Sequence, residues 1–329
     1  LGLVTLLKNR LTMILAAGLV YYAVFSIFIT IPNAFRLPDT PDVLPDDVRQ
    51  VDVQYGDVRL LGYKISSDAI TPDHRLDVTL YWQPLAQTNQ PLSFYIQVFA
   101  PGLNGQTVEV GKLDSYPGRG LLQTDSWNPG MIYEDRYHLE FDENAEKLAD
   151  FPFEPRLKIG WRDNETDTEI PASTAAGESI ESVIVRGGRV WKENASSEDS
   201  DTLAIFGNVI RLRGVEVEPD ENILRVYLRW QAIEDIPEDF TVFIQLIDPA
   251  NPSEILASGD SVPRADWWRS SLWIPGDIFD DRYTVSMGEN LIPGDYRLLI
   301  GFYRPADFTR LPIDRGDYPD AYTFDVSIP

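Results

Sequence analysis

The stretch WNPGMIYEDRY at residues 127–137 returns at residues 273–283 as WIPGDIFDDRY, identical at seven of eleven positions. Around it, other blocks recur in the same order. Tyr55-Gly56-Asp57 leads to Val58-Arg59-Leu60-Leu61-Gly62, and Phe206-Gly207-Asn208 leads to Ile210-Arg211-Leu212-Arg213-Gly214. Leu80-Tyr81-Trp82-Gln83 answers Leu228-Arg229-Trp230-Gln231, and Phe94-Tyr95-Ile96-Gln97-Val98 answers Val242-Phe243-Ile244-Gln245-Leu246. Asp114-Ser115-Tyr116-Pro117 answers Asp260-Ser261-Val262-Pro263, and Ile159-Gly160-Trp161 answers Ile300-Gly301-Phe302. One unit has been used twice.

Each unit reads as all-β. Leu76, Val78, Leu80 and Trp82 alternate with Asp77, Thr79, Tyr81 and Gln83, and Leu224, Val226, Leu228 and Trp230 do the same in the second copy. Period-two alternation turns one face to a core and the other to water. Pro101-Gly102, Asn104-Gly105, Pro129-Gly130, Pro275-Gly276 and Pro293-Gly294 mark turns between the runs. Short strands with no long helical period predict two tandem antiparallel β-sandwiches of immunoglobulin-like build, over residues 51–190 and 202–329. The polar, acidic stretch 191–201 reads as the linker between them. Residues 182–186 and 322–328 are expected to close the two copies, and 142–150 to hold one helical turn at most.

Ahead of the repeats lies a different kind of sequence. Leu11 to Ile31 is free of charge and, at about 1.5 Å per residue, is long enough to span a bilayer's hydrocarbon core. Residues 1–36 are therefore expected to anchor the chain in the lipid bilayer through 11–31, with Pro32 and Asn33 ending the helix. Lys8 and Arg10 precede the span and Asp39, Asp42, Asp46 and Asp47 follow it, which places the amino terminus in the cytoplasm and the repeats outside. A cleaved signal peptide is the competing reading, but the apolar run is long for one and ends without a small-x-small site. Leu1–Leu7 is also apolar and is compatible with the tail of an earlier membrane helix, with Lys8-Asn9-Arg10 as a short turn, a reading the sequence leaves open. Tyr21 and Tyr22 sit mid-span, where a neighbouring protein helix is expected to cover them. Residues 37–50, rich in proline and aspartate, read as a semi-rigid spacer.

The charge of −24 is consistent with that division. Residues 1–36 carry three basic groups and no acid, so the rest of the chain bears −27. Such an acidic body repels phosphate backbones, which argues against nucleic-acid binding. Without cysteine there are no thiolate metal sites, disulfides or cysteine nucleophiles, and two histidines leave little for imidazole chemistry. No nucleophile elbow, phosphate-binding glycine loop or HExxH helix occurs, so the chain is expected not to be an enzyme and to need no cofactor. Asp280-Asp281, or Asp199 with Asp201, are weak candidates for a loosely held cation, and no specific metal is expected. Asn164 and Asn194 head glycosylation triplets that carry little weight.

Trp127, Asp135, Arg136, Trp273, Asp281 and Arg282 recur in both copies and are expected to serve the fold: a buried Trp, a Pro-Gly turn and an Asp–Arg pair pinning a strand end. Asp114 and Asp260 are expected to open Asx turns. Leu121-Leu122 in the first copy becomes Trp267-Trp268 in the second. Packing across the rim of the sandwich is the simpler reading of this pair. An exposed aromatic here would instead suit a partner or glycan surface.

The order of a membrane helix, a Pro/Asp spacer and then YGDVRLLGY, LYWQ, FIQL, DSxP, WxPGxxxxDRY and IGFYRP resembles the extracytoplasmic β-sandwich tail of bacterial multi-spanning membrane glycosyltransferases. Those belong to the dolichyl-phosphate-mannose protein mannosyltransferase-like superfamily. The resemblance covers residues 11–329 and implies no catalytic residue, because the catalytic acids of such enzymes lie between earlier membrane helices. The expected role is an interaction or assembly subunit whose partners are other membrane proteins. A polysaccharide-binding accessory module and a cell-surface filament or sheath subunit are the alternatives.

Overall fold

A computed structural model describes residues 2–66, 69–71, 75–102, 105–143, 145–148, 151–191, 202–288 and 291–329. Among these, the chain forms one long amino-terminal helix followed by four antiparallel sheets and a two-stranded parallel pair.

The helix runs from Gly2 to Phe25, continues as a π-helical turn at Ser26–Thr30 and ends in a short α turn at Ile31–Ala34. Thr12–Thr30 is apolar enough to cross a membrane, with mean hydropathy 2.1 and no burial against the rest of the chain. Pro32 and Asn33 do not end the helix, as expected above, but lie inside its last turn. The wide turn accounts for this. Ile31 N–H reaches back to Ser26 O, so Pro32 occupies the start of a fresh turn, where its missing N–H costs nothing. Tyr21 and Tyr22 stand exposed on the helix, Tyr21 stacking on Phe25 at 6.2 Å.

In the first copy, a six-stranded sheet has the order Ser179–Ile180, Ala172–Thr174, Arg49–Tyr55, Val58–Ile65, Leu76–Pro84, Tyr133–Leu139. Facing it is a sheet of Val183–Arg186, Arg156–Asp163, Leu92–Pro101 and Thr107–Ser115, with Thr168–Ile170 added beside Arg156–Asp163. The inward residues of both sheets share one core: Trp82 meets Trp161 edge-on at 5.0 Å and Phe94 at 5.8 Å. The second copy repeats this with Ala204–Phe206, Ile210–Asp220, Ile223–Ala232 and Ile278–Ser286 in one sheet. Asn251–Ser258, Thr241–Asp248, Gly294–Tyr303 and Tyr322–Ile328 form the other, and Trp230 packs on Phe302 at 4.8 Å between them. Each buried aromatic of this size contributes about 1.5–3 kcal/mol, so these clusters dominate the stability of both copies.

The helical turn expected in 142–150 is present at Ala145–Leu148. Strand Arg49–Tyr55 starts two residues inside the expected spacer, and most of the linker 191–201 lies outside the described residues. The spacer itself is no free tether. Asp39 O accepts Glu134 N–H at 2.8 Å, Asp47 pairs with Lys64 at 2.6 Å, and Val48 is buried.

Candidate functional site

The repeated Asp-Arg-Tyr is explained by a loop that precedes it. After Pro117, Gly118, Arg119 and Gly120 take φ of 61°, 57° and 84°; after Pro263, Arg264, Ala265 and Asp266 take 55°, 51° and 70°. Three successive left-handed residues are unusual, and each side-chain-bearing one costs about 1–2 kcal/mol. A buried carboxylate holds each loop in place. Asp135 accepts Gly118 N–H at 2.8 Å and the Tyr137 hydroxyl. Asp281 accepts Arg264 N–H at 3.0 Å, Arg282 N–H at 2.8 Å and the Tyr283 hydroxyl at 2.5 Å. Burial pushes the Asp135 carboxyl up to about 6, the hydrogen bonds from Tyr137 and Gly118 opposing it, and burial raises Asp281 as well.

The expected Asp–Arg pair is therefore replaced by an Asp–Tyr pair plus a turn amide. Arg136 instead pairs with Glu134 at the solvent face and lies 3.7 Å from Asp39. Trp127 and Trp273 are buried as expected, and each indole N–H donates at 3.2 Å to an equivalent carbonyl, Leu122 and Trp268. In place of the Asx turn expected at Asp114, its carboxylate pairs with Lys112, while Asp260 takes the main-chain N–H of Ile244 and lies beside Tyr303.

The two loops differ in what docks on them. In the first copy, Gly118 lies against the spacer: a Cβ there would meet Pro38 Cδ at 3.1 Å. In the second copy the loop meets the first copy. Trp267 and Trp268 are not an exposed platform; they are 4% and 0% exposed. Trp267 inserts into the first copy's core, with the Arg156 guanidinium 3.8 Å above its ring, while Trp268 packs in the second copy's core and against Trp191 at 6.0 Å. An adjacent pair pointing to opposite sides thus stitches two cores together. Leu121 and Leu122 are half-buried at the corresponding place, Leu122 packing on its own core.

Charge closes the joint. The Glu154 side chain is fully buried; Arg269 forks onto it at 2.8 and 2.5 Å, Arg186 reaches it at 3.0 Å, and Glu154 N–H donates to Trp267 O at 2.6 Å. Arg156 and Arg186 converge on Asp266, and Arg189 forms a buried ion pair with Asp277 at 2.6 Å. Burying these ions costs several kcal/mol each, which only such geometry offsets. Sequence reasoning missed Glu154 entirely. It also missed Thr124 and Ser270, whose buried hydroxyls bridge Gln90 O to Leu92 N–H, and Glu238 O to Phe240 N–H.

Asp280 and Asp281 do not converge on a cation. Asp280 lies on the outer face against Arg229 at 2.7 Å, and Asp281 points inward. Asp199, Asp201 and Asn194 lie outside the described residues, and the Asn164 amide bonds Pro91 O at 2.7 Å.

No family model matches the chain, and no curated protein matches it. Solved structures that it resembles include a β-glucuronidase from glycoside hydrolase family 2, at 10% identity and TM-score 0.26, covering 78% of this chain and 24% of that one. A chain named BspA_C_WT is similar at 10% identity and TM-score 0.22, covering 82% of this chain and 99% of that one. The chain thus spans about a quarter of the glucuronidase, and neither likeness carries an argument about chemistry.

Proposed function

We propose that this chain is a membrane-anchored, extracytoplasmic interaction or assembly subunit without catalytic activity, in which two immunoglobulin-like sandwiches stand in tandem on the helix. The observation that carries this reading is the clamp of Glu154 by Arg269 and Arg186 beside Trp267. It makes one rigid arm of two modules, a build suited to holding a partner at a fixed place above the bilayer. Lys8 and Arg10 before the span and the acidic repeats after it support an N-terminus in the cytoplasm. The motif order supports kinship with the tails of membrane glycosyltransferases. The polysaccharide reading loses its proposed platform, since both indoles of Trp267 and Trp268 are buried.

On this reading Tyr21 and Tyr22 pack against a partner helix. The test is the mass, by light scattering, of the full chain solubilised from its native membrane in mild detergent. A complex larger than the monomer, dispersed by Tyr21→Ala with Tyr22→Ala, is expected. A lone monomer at every concentration overturns it.

A further inference from the structure

In the first copy, the acidic segment 39–48 crosses the outer face of a sheet. It enters where Asp39 O takes Glu134 N–H and ends where Val48 lies over Gly62; a Cβ on Gly62 would stand 2.4 Å from Val48 Cγ1. Gly62, Tyr81 and Glu134 are neighbours across three strands, so the segment spans that row. Its acids meet bases on either side, Asp39 near Arg136 and Asp47 at Lys64, and Tyr81 in the middle of the row is fully buried.

The second copy keeps the row and leaves it open. Gly214, Arg229 and Asp280 are neighbours in the same register, with Arg282 at the place of Arg136. Over Gly214 and Arg229 lies a hollow of ≈ 510 Å³, sharing Tyr227 and Asp280 with a second of ≈ 280 Å³ that runs to the junction at Trp267. Two positions have become basic: Leu61 corresponds to Arg213 and Tyr81 to Arg229. Arg213, Arg229, Arg264 and Arg282 gather here with Glu216 and Asp280; Arg229 forks onto the Asp280 carboxylate and Arg264 donates to Asp280 O, while among the described residues Arg282 meets no carboxylate. On the edge strand, Asp280 N–H has no main-chain partner among the described residues, whereas its counterpart Glu134 N–H binds Asp39 O.

We propose that this groove docks an extended, acidic, proline-containing peptide segment of a partner protein, held as the first copy holds 39–48. Asp280 N–H supplies the edge hydrogen bond, the floor at Gly214 admits an apolar side chain where Val48 sits in the first copy, and Arg213 and Arg282 take the acids. The inference deepens the interaction role proposed above and rests on it only for the existence of a partner.

The probe is a fluorescent peptide of the sequence PDTPDVLPDDV, residues 38–48, titrated onto the purified full chain in detergent with anisotropy as readout. Saturable binding is expected, weakened about tenfold or more by Arg213→Glu with Arg282→Glu, weakened by salt, and unchanged by Arg75→Glu, an exposed base of the first copy beside Glu140. Near-UV circular dichroism checks that each variant is folded. Absent binding, binding that survives the double variant, or binding of a uronate oligosaccharide in place of the peptide overturns the proposal. Because the purified chain is used, such a failure leaves the light-scattering result for the membrane assembly standing.

Discussion

Arg269 of the second copy forks onto Glu154 of the first, 115 positions away in sequence, and the carboxylate it holds has no exposed surface. Removing the arginine leaves the Glu154 carboxylate short of a partner in a dry site, whereas Arg269 and Arg186 are partly exposed and keep Asp239 and Asp266. Arg269→Met is therefore expected to cost about 3–5 kcal/mol in chemical unfolding. It is also expected to split one transition into two, because the copies lose their coupling. A single transition with unchanged midpoint would show that the clamp contributes nothing.

Trp267→Ala removes a side chain that one copy lends to the core of the other. The expected loss is about 3–5 kcal/mol, and small-angle scattering should show a more bent or flexible arm. Leu121→Ala, at the matching but half-buried position, is expected to cost clearly less. Equal costs at the two positions would contradict the stitching role.

The repeat was legible because each kept residue makes a local bond that both copies need. The indole N–H of Trp127 or Trp273 closes on a carbonyl five residues back, and Asp135 or Asp281 holds a turn seventeen residues back. Those distances fall inside one motif, and so does the alternation that buries Trp82 and Trp230. The clamp was not legible for the opposite reason. Glu154 is held by Arg186, 32 positions on, and by Arg269, 115 positions on across the joint, and acids are too common in this chain for one to stand out. The Trp267-Trp268 pair stands out in the sequence, but a sequence window holds no record of a neighbouring copy, so burial between two cores reads the same as exposure. The spacer's docking was hidden likewise, because Pro and Asp read as solvated chain until Gly62 and Glu134 are seen beneath it.

Ala265 holds φ of 51° with its side chain exposed, between two other left-handed residues. Glycine there relieves backbone strain without removing a contact. Ala265→Gly is expected to raise stability by up to about 1 kcal/mol, after part of the gain is lost to a freer unfolded chain. Gly118→Ala in the first copy is expected to do the reverse, since its Cβ would also press on Pro38 at 3.1 Å. Thermal unfolding of the two variants checks the signs, and a loss for Ala265→Gly would mean the loop is not strained.

Asp135 gives the pH prediction. Its carboxyl rises from 3.8 to about 6 because burial disfavours the charged form. Between those values the folded chain holds a proton that the unfolded chain has released. Its contribution is then fully present below about 3.8 and lost as pH rises through about 6, a change on the order of 3 kcal/mol. Other carboxyls slope the opposite way at lower pH: Lys64 holds Asp47, Arg59 holds Asp52 and Arg297 holds Asp325 below the usual range. The measurable quantity is therefore the difference between wild type and Asp135→Asn, which keeps the shape and removes the titration. Wild type should lose stability relative to the variant between pH 4 and pH 7, with the steepest loss near 5, midway between the two values. A difference that stays flat across that range would mean Asp135 does not titrate there, and that the loop's anchor is charged throughout.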